Sequence, residues 1–197
     1  MTEEDKISKA LVDSLCQKNE FPGIGFGHRQ EILIGMTCGY YARDLRLLFQ
    51  SAEQDIVAYL NGDTRNYEFE GTEFFRRFPK SLTDGKILIP LVIFEVKYRT
   101  VNTHTIRQYS ELARMIKLIF PFCLYNLLLI NIKRPSDNAD KTYMVGKGFD
   151  KVIYKSGYEV GNEIHNQFVE KMWNIIETHV AYLRSEEYFG LTEFLQS

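Results

Sequence analysis

Two continuous apolar runs joined by an amphipathic helix constrain the fold of this chain more than any other feature. The first run lies in a strand predicted at residues 86–98, and the second, FPFCLYNLLLINI, occupies residues 120–132. Residues 103–118 between them predict a helix, because their apolar side chains recur at helical spacing on one face. A strand, a crossover helix and a second strand indicate parallel pairing in a sheet that is buried on both faces. The sequence therefore predicts an α/β fold.

Further elements are predicted on both sides of this unit. Residues 3–18 carry Ile7, Leu11 and Leu15 at helical spacing and predict an N-terminal helix. A second helix is predicted at residues 28–42, and short strands at 45–49, 55–60 and within 147–156. A long helix at about 160–184 has an apolar stripe that favours docking on its own domain, with a dimer interface as the alternative.

These elements predict one domain over residues 1–197. Its core would span about residues 28–132, preceded by the helix at 3–18 and followed by a C-terminal helical extension at about 158–185.

The strand predicted at residues 86–98 ends in charged side chains. Residues i and i+2 of a strand point to the same face, so Glu95 and Lys97 are expected to lie side by side. Metal-dependent hydrolysis of a phosphodiester needs converging carboxylates and a cation near the attacking water, so a second acid is required. Asp55, at the start of the strand DIVAYL, is the first candidate. Asp84, Glu70 and Glu73 are the alternatives.

Positive charge is concentrated around this strand. The formal net charge of the chain is −2, yet residues 76–117 contain nine Lys and Arg against three Asp and Glu. A local excess of this kind is typical of a polyanion site, although a solvated basic surface would have the same composition.

Cysteine use and hydropathy indicate a cytoplasmic protein. The three cysteines are far apart in apolar surroundings, which predicts reduced thiols, and the absence of a Cys-x-x-Cys pair or a Cys/His cluster argues against zinc. The N-terminus lacks the layout of a signal peptide, and the apolar runs are too short to span a bilayer. No membrane partner is expected.

Asp55-Ile-Val, followed by IPLVIFEVK at residues 89–97, resembles the PD…(D/E)xK superfamily of metal-dependent nucleases. The predicted order of helix, strand, strand with Asp, strand with Glu-x-Lys, helix and strand agrees with that family over about residues 28–132. Gln54 stands where the motif has proline. Glu95 follows Asp55 by 40 positions, which is a long interval that an inserted hairpin at about 64–85 would explain.

The resemblance implies a restriction-endonuclease-like fold, which is a mixed central β-sheet flanked by helices, and a bound Mg²⁺. Asp55 and Glu95 would be metal ligands together with the Val96 carbonyl, and Glu31, on the predicted helix at 28–42, would be a further acid. Lys97 would orient or activate the water and stabilise the transition state.

The function implied by the resemblance is a DNA endonuclease, most similar to type II restriction enzymes and acting as a homodimer on double-stranded DNA. A Holliday-junction or repair nuclease is the nearest alternative, and a nuclease-like domain that binds nucleic acid or protein without cutting is the second. Leu112 stands four residues after Gln108, where exonuclease-like members have tyrosine. The candidate DNA contacts are Arg76, Arg77, Lys80, Arg99, Arg107 and Gln108.

Overall fold

Five strands form one mixed β-sheet, and helices flank it. The computed structural model describes residues 2–41, 44–60, 88–132 and 147–185. In chain order the elements are α1 (Glu3–Lys18), β1 (Ile24–Tyr41), β2 (Asp44–Leu60), β3 (Pro90–Tyr98), α2 (Thr103–Ile119), β4 (Leu124–Ile130), β5 (Lys151–Lys155) and α3 (Glu163–Ser185). The predicted α/β class, with a mixed sheet and flanking helices, is confirmed.

The strands lie in the order β1-β2-β3-β4-β5. The pairs β1–β2 and β2–β3 are antiparallel, whereas β3–β4 and β4–β5 are parallel. Helix α2 connects β3 to β4, which confirms the predicted crossover. Strand β3 is therefore central, and its residues are buried from Pro90 to Lys97.

Pro90 is the first residue of β3. At this position its missing N–H group removes the fewest hydrogen bonds between strands. The register between β2 and β3 shifts between Ala58 and Tyr59, next to Tyr59's pairing with Pro90. The sequence predicts an edge or a bulge at this proline, and the structure has an irregularity in a central strand.

Successive residues of β3 pack on opposite faces of the sheet. Ile93 belongs to a buried cluster with Ala113 and Ile116 of α2, whereas Phe94 and Val96 belong to a cluster that includes α1 and α3. Glu95 and Lys97 share the face of Ile93 because side chains alternate along a strand. The charged pair therefore lies on the α2 side.

The helix predicted at residues 28–42 is wrong, because residues 28–41 are part of strand β1. Gly35 and Gly39 are poor helix residues, and the apolar residues of such a short stretch fit either period. Pairing with β2 decides the conformation, from Ile24 opposite Leu60 to Tyr41 opposite Asp44. The strands predicted separately at 45–49 and 55–60 are for the same reason one continuous strand, β2.

Helix α3 docks on its own chain, as its apolar stripe predicts. The stripe residues Phe168, Met172, Ile176, Val180 and Leu183 are buried in the cluster that includes α1 and the sheet. Neither α3 nor another helix in the described ranges combines the length and apolarity needed to cross a membrane.

Candidate active site

Two acids meet where β2 and β3 pair. Ile56 lies opposite Phe94, and Asp55 and Glu95 are the next residues on their respective strands. Asp55 Oδ2 accepts a hydrogen bond of 2.8 Å from the Val96 N–H group, and Asp55 is near enough to Glu95 for its charge to help raise the pKa of Glu95. The sheet therefore brings Asp55 and Glu95 together although they lie 40 positions apart in the sequence.

Lys97 lies beside Glu95 on the same face of β3. Its Nζ donates to Glu95 Oε1 at 2.8 Å, and the two side chains are only 10% and 3% exposed. The side-by-side placement expected from the two-residue period of a strand is observed. Asp55, Glu95 and Lys97, the three predicted catalytic residues, thus form one cluster, in which Glu95 and Lys97 are buried and Asp55 is half-buried.

Glu4, in the first turn of α1, also reaches this cluster. Glu4 Oε1 accepts a hydrogen bond of 2.9 Å from the Tyr98 N–H group, and its Oε2 lies 4.0 Å from Lys97 Nζ. Sequence reasoning missed Glu4, because acids in a first helical turn are common for electrostatic reasons. Nothing in the local pattern distinguishes it from Glu3 or Asp5.

Tyr109 of α2 covers the same pair from the helix side. Lys97 Nζ lies 4.3 Å from the centroid of its ring, and the hydroxyl lies within hydrogen-bonding reach of Glu95 and Lys97. Burial raises the pKa of Tyr109, so the phenol keeps its proton. The sequence places Tyr109 on the apolar face of α2 but gives no signal for these contacts.

Burial raises the pKa of both carboxyl groups. Burial, followed by the charge of Asp55, raises the pKa of Glu95 to about 7, against the opposing effect of Lys97. Burial also raises the pKa of Asp55, while the Val96 N–H group and Lys97 act in the opposite direction. Near neutral pH, Glu95 is therefore divided between its protonated and ionised forms.

Lys97 remains a cation in this environment. Burial lowers its pKa, but the charge and hydrogen bond of Glu95, and then the charge of Asp55, more than compensate, so that the pKa rises above its usual value. Lys97 therefore supplies positive charge and hydrogen-bond donors, and it is poorly suited to accept a proton at neutral pH.

Two carboxylates, Asp55 and Glu95, suit the open coordination of Mg²⁺ better than that of a metal bound by protein ligands alone. Mg²⁺ is usually bound by one or two carboxylates and completes its octahedron with water and substrate phosphates. A divalent cation would also offset the repulsion by Asp55 that helps to raise the pKa of Glu95. Among the residues that the structure describes, no group of three or more His, Cys, Asp or Glu side chains could hold a metal. The contact recorded for Val96 is through its N–H group, and not through the carbonyl predicted as a ligand.

The sequence predicts that Glu31 lies on a helix, and this prediction is wrong. Glu31 is an exposed residue of strand β1. It lies opposite Glu53, and its Oε2 accepts a hydrogen bond of 2.8 Å from Ser51. The helical acid at the site comes instead from α1, as Glu4. The structure does not group Glu31 with Asp55 and Glu95 in a metal-binding cluster.

The described DNA-contact candidates lie in or near α2. Gln108 is exposed and lines a cavity of about 420 Å³ that also contains Glu4, Lys97 and Tyr109. Arg107 is exposed on the same helix. Arg99 does not continue β3 on the face of Lys97, because the strand ends at Tyr98 and Arg99 has a φ of 62°.

The predicted hairpin lies outside the described residues. With it lie Arg76, Arg77 and Lys80 and the three alternative second acids, Glu70, Glu73 and Asp84.

No protein-family model matches the sequence, and a search of curated proteins finds no match.

Proposed function

We propose that the protein is a Mg²⁺-dependent deoxyribonuclease of the restriction-endonuclease-like fold, hydrolysing phosphodiester bonds within DNA. The observation that carries the proposal is that two acids from neighbouring strands, the half-buried Asp55 and the buried Glu95, meet beside the charged Lys97. Glu95, whose pKa is raised to about 7, pairs with Lys97, which lines a cavity, and a perturbed carboxyl group at a cleft is typical of catalytic sites.

Asp55 and Glu95 would hold the metal through their carboxylate oxygens. When bound, Mg²⁺ supplies Lewis-acid stabilisation of phosphate charge and lowers the pKa of a bound water. Ionised Glu95 is needed for this role, so its pKa of about 7 makes metal binding depend on pH near neutrality.

Lys97 would orient the attacking water and offset the negative charge that develops on the phosphate. It lines the 420 Å³ cavity, which gives a substrate access to its side chain. Glu95, Tyr109 and Glu4 surround Lys97 and restrict its motion. Such preorganisation is the main means by which a fixed charge accelerates a reaction.

A purely structural ion pair is the alternative explanation of the same geometry. Burying a salt bridge has a desolvation cost that often cancels its attraction, so the pair is weak evidence of stabilisation. The second acid, Asp55, adds repulsion to this desolvation cost, since its charge helps to raise the pKa of Glu95. A cluster that lies against a cavity and carries this cost is better explained by binding of a cation and a phosphate.

Cleavage assays test the proposal directly. Purified protein with Mg²⁺ is incubated with supercoiled plasmid, linear duplex, a four-way junction and single-stranded DNA. We expect cleavage by the parent, and a loss of at least about 100-fold in Asp55→Asn and Glu95→Gln, since each would lose a charged metal ligand. Glu111→Gln is the matched control, because Glu111 is an exposed carboxylate of α2.

Two outcomes contradict the proposal. One is a parent protein that leaves every substrate intact with Mg²⁺ while binding DNA in a salt-dependent, Mg²⁺-independent manner, which identifies a non-cleaving domain. The other is a Glu95→Gln variant that cleaves as fast as Glu111→Gln.

The finer proposal is a cytoplasmic homodimer, similar to type II restriction enzymes, that cuts both strands of a duplex. Two-fold symmetry would give each strand of a palindromic site one active centre. Sedimentation of the active protein with a duplex substrate is expected to show two copies per duplex. A monomer that cuts branched or damaged DNA in preference to intact duplex would instead identify a junction or repair nuclease.

A further inference from the structure

A second cavity lies at the carboxyl ends of the parallel strands β3, β4 and β5. Its volume is about 480 Å³, and residues from the ends of all three strands line it. The turn after β3 separates it from the cavity of the candidate active site, because Tyr98 and Arg99 line one, whereas Thr100 and Val101 line the other. The carboxyl ends of strands in open α/β sheets are where ligands commonly bind.

The floor of this cavity is preformed. The Asn131 side chain donates to the Tyr158 carbonyl at 2.8 Å and accepts from the Tyr158 N–H group at 2.8 Å. The Tyr158 hydroxyl in turn lies 2.8 Å from His165 Nδ1. Because these polar groups satisfy one another, they hold the cavity open without requiring a ligand.

Arg99 is fixed at one side of the cavity. Its φ of 62° is uncommon for a residue with a side chain. This conformation is stabilised by a 2.9 Å hydrogen bond from the Arg99 N–H group to the Ile130 carbonyl. The guanidinium carbon lies 4.9 Å from the centroid of the Tyr98 ring. An exposed, oriented guanidinium is the side-chain group best suited to bind a phosphate.

Tyr154 provides an aromatic surface on another side of the cavity. Tyr154 is 40% exposed, so part of its surface is open to solvent. Its hydroxyl donates to the Ile132 carbonyl at 2.8 Å, so the ring is held in one place. A fixed, exposed aromatic ring next to an arginine is the arrangement with which proteins bind unpaired nucleotides.

We propose that this cavity binds one unpaired nucleotide of the DNA strand that enters the candidate active site. Arg99 contacts its phosphodiester and Tyr154 stacks on its base. A base within a duplex has both faces covered by its neighbours, so only an unpaired base can stack on Tyr154. Glu159 also lines the cavity. Its negative charge disfavours a doubly charged terminal phosphate more than a singly charged phosphodiester.

This inference rests on the proposed nuclease function. Within that function it predicts the substrate of the junction or repair alternative, and it therefore competes with the restriction-like homodimer as the finer proposal. The two cavities adjoin the same turn, so one strand would contact both. DNA that carries an unpaired nucleotide beside the cleaved bond is therefore expected to bind more tightly than an intact duplex.

Fluorescence anisotropy in EDTA tests the cavity without cleavage. The probes are a labelled blunt duplex and the same duplex with a short single-stranded tail. In Tyr154→Ala and Arg99→Ala we expect an about tenfold loss of affinity for the tailed duplex, of the order produced by losing one stacked base. Affinity for the blunt duplex is expected to change by less than twofold.

Lys151→Ala is the control, because Lys151 is an exposed cation at the other end of β5. It is expected to affect both probes equally. Tyr154→Phe keeps the ring, and we expect it to retain most of the preference for the tail. Thermal unfolding of each variant checks that it is folded.

The inference is overturned if the parent does not prefer the tail, or if Tyr154→Ala and Arg99→Ala weaken both probes equally. A preference for the tail that depends on Tyr154, in a protein that cuts no DNA, would overturn the proposed function alone. Cleavage that depends on Glu95 without any effect of the tail would overturn this inference alone.

Discussion

At the scale of single residues, Glu95 makes the stability of the metal-free protein depend on pH. Its pKa is about 7 in the fold and 4.5 ordinarily, so between these values the folded state binds more protons than the unfolded state. The contribution of Glu95 to stability is therefore largest below about pH 4.5 and is lost as pH rises through 7, by up to about 3 kcal/mol. Urea unfolding in EDTA at several pH values measures this slope.

Glu95→Gln is expected to flatten the slope, and Mg²⁺ is expected to reduce it by stabilising the ionised form. The assignment of the slope to Glu95 is wrong if Glu95→Gln has the same slope as the parent.

Tyr109→Phe separates the hydroxyl of Tyr109 from its ring. The ring would still contact Lys97, but the hydrogen bond that lowers the pKa of Glu95 would be lost. We expect the acidic limb of the pH–activity profile to move to higher pH, and kcat at pH 7 to fall about threefold to tenfold with a small change in KM. Tyr182→Phe, an exposed tyrosine of α3, is the control. Unchanged pH profiles in both variants would show that the hydroxyl has no influence on Glu95.

At the scale of whole elements, Glu4 joins α1 to the end of β3. Glu4→Ala removes the acceptor of the Tyr98 N–H group, and we expect a loss of about 1 kcal/mol in the free energy of unfolding. Glu4→Gln keeps an acceptor oxygen and should lose less. Glu3→Ala is the control, because Glu3 pairs with Lys6 at the surface. Urea unfolding measures the stability of each variant. Equal stability of the Glu4→Ala and Glu3→Ala proteins would show that Glu4 does not stabilise the contact between α1 and β3.

The success of sequence reasoning differs among these elements for a physical reason. α1, α2 and the pair Glu95–Lys97 follow from periods within one segment, and the sequence predicts them. β1 is mispredicted because its conformation depends on pairing with β2, which no local pattern contains. Glu4 and Tyr109 are missed because tertiary packing, and not spacing along the chain, brings them to Lys97.

At the scale of the whole molecule, an acidic protein is proposed to bind a polyanion. The net charge of −2 requires the local basic segment to provide the attraction. We expect the affinity for duplex DNA in EDTA to fall steeply with salt. Arg107→Ala should reduce the slope of log K against log salt by about 1, whereas Arg114→Ala should change it less, because Arg114 pairs with Glu111. Titrations at four salt concentrations measure both slopes, and equal slopes in the two variants would exclude Arg107 as a phosphate contact.

The sheet forks at Asp55. The pairs recorded between β2 and β3 end at Ile56 and Phe94, whereas β1 and β2 remain paired as far as Tyr41 and Asp44. At the fork, the Asp55 carboxylate takes the Val96 N–H group in place of a backbone acceptor.

Asp55, a candidate metal ligand, thus also makes the hydrogen bond that joins β2 to β3 where their pairing ends. We expect Mg²⁺ to slow amide hydrogen exchange at Val96 and Asp55→Ala to accelerate it, with little change at Ile93. If neither Mg²⁺ nor Asp55→Ala changes the exchange rate at Val96, the pairing of the two strands is independent of the site. Cation binding at Asp55 would then also hold β2 and β3 together, so that one residue both binds the metal and makes the sheet around it more rigid.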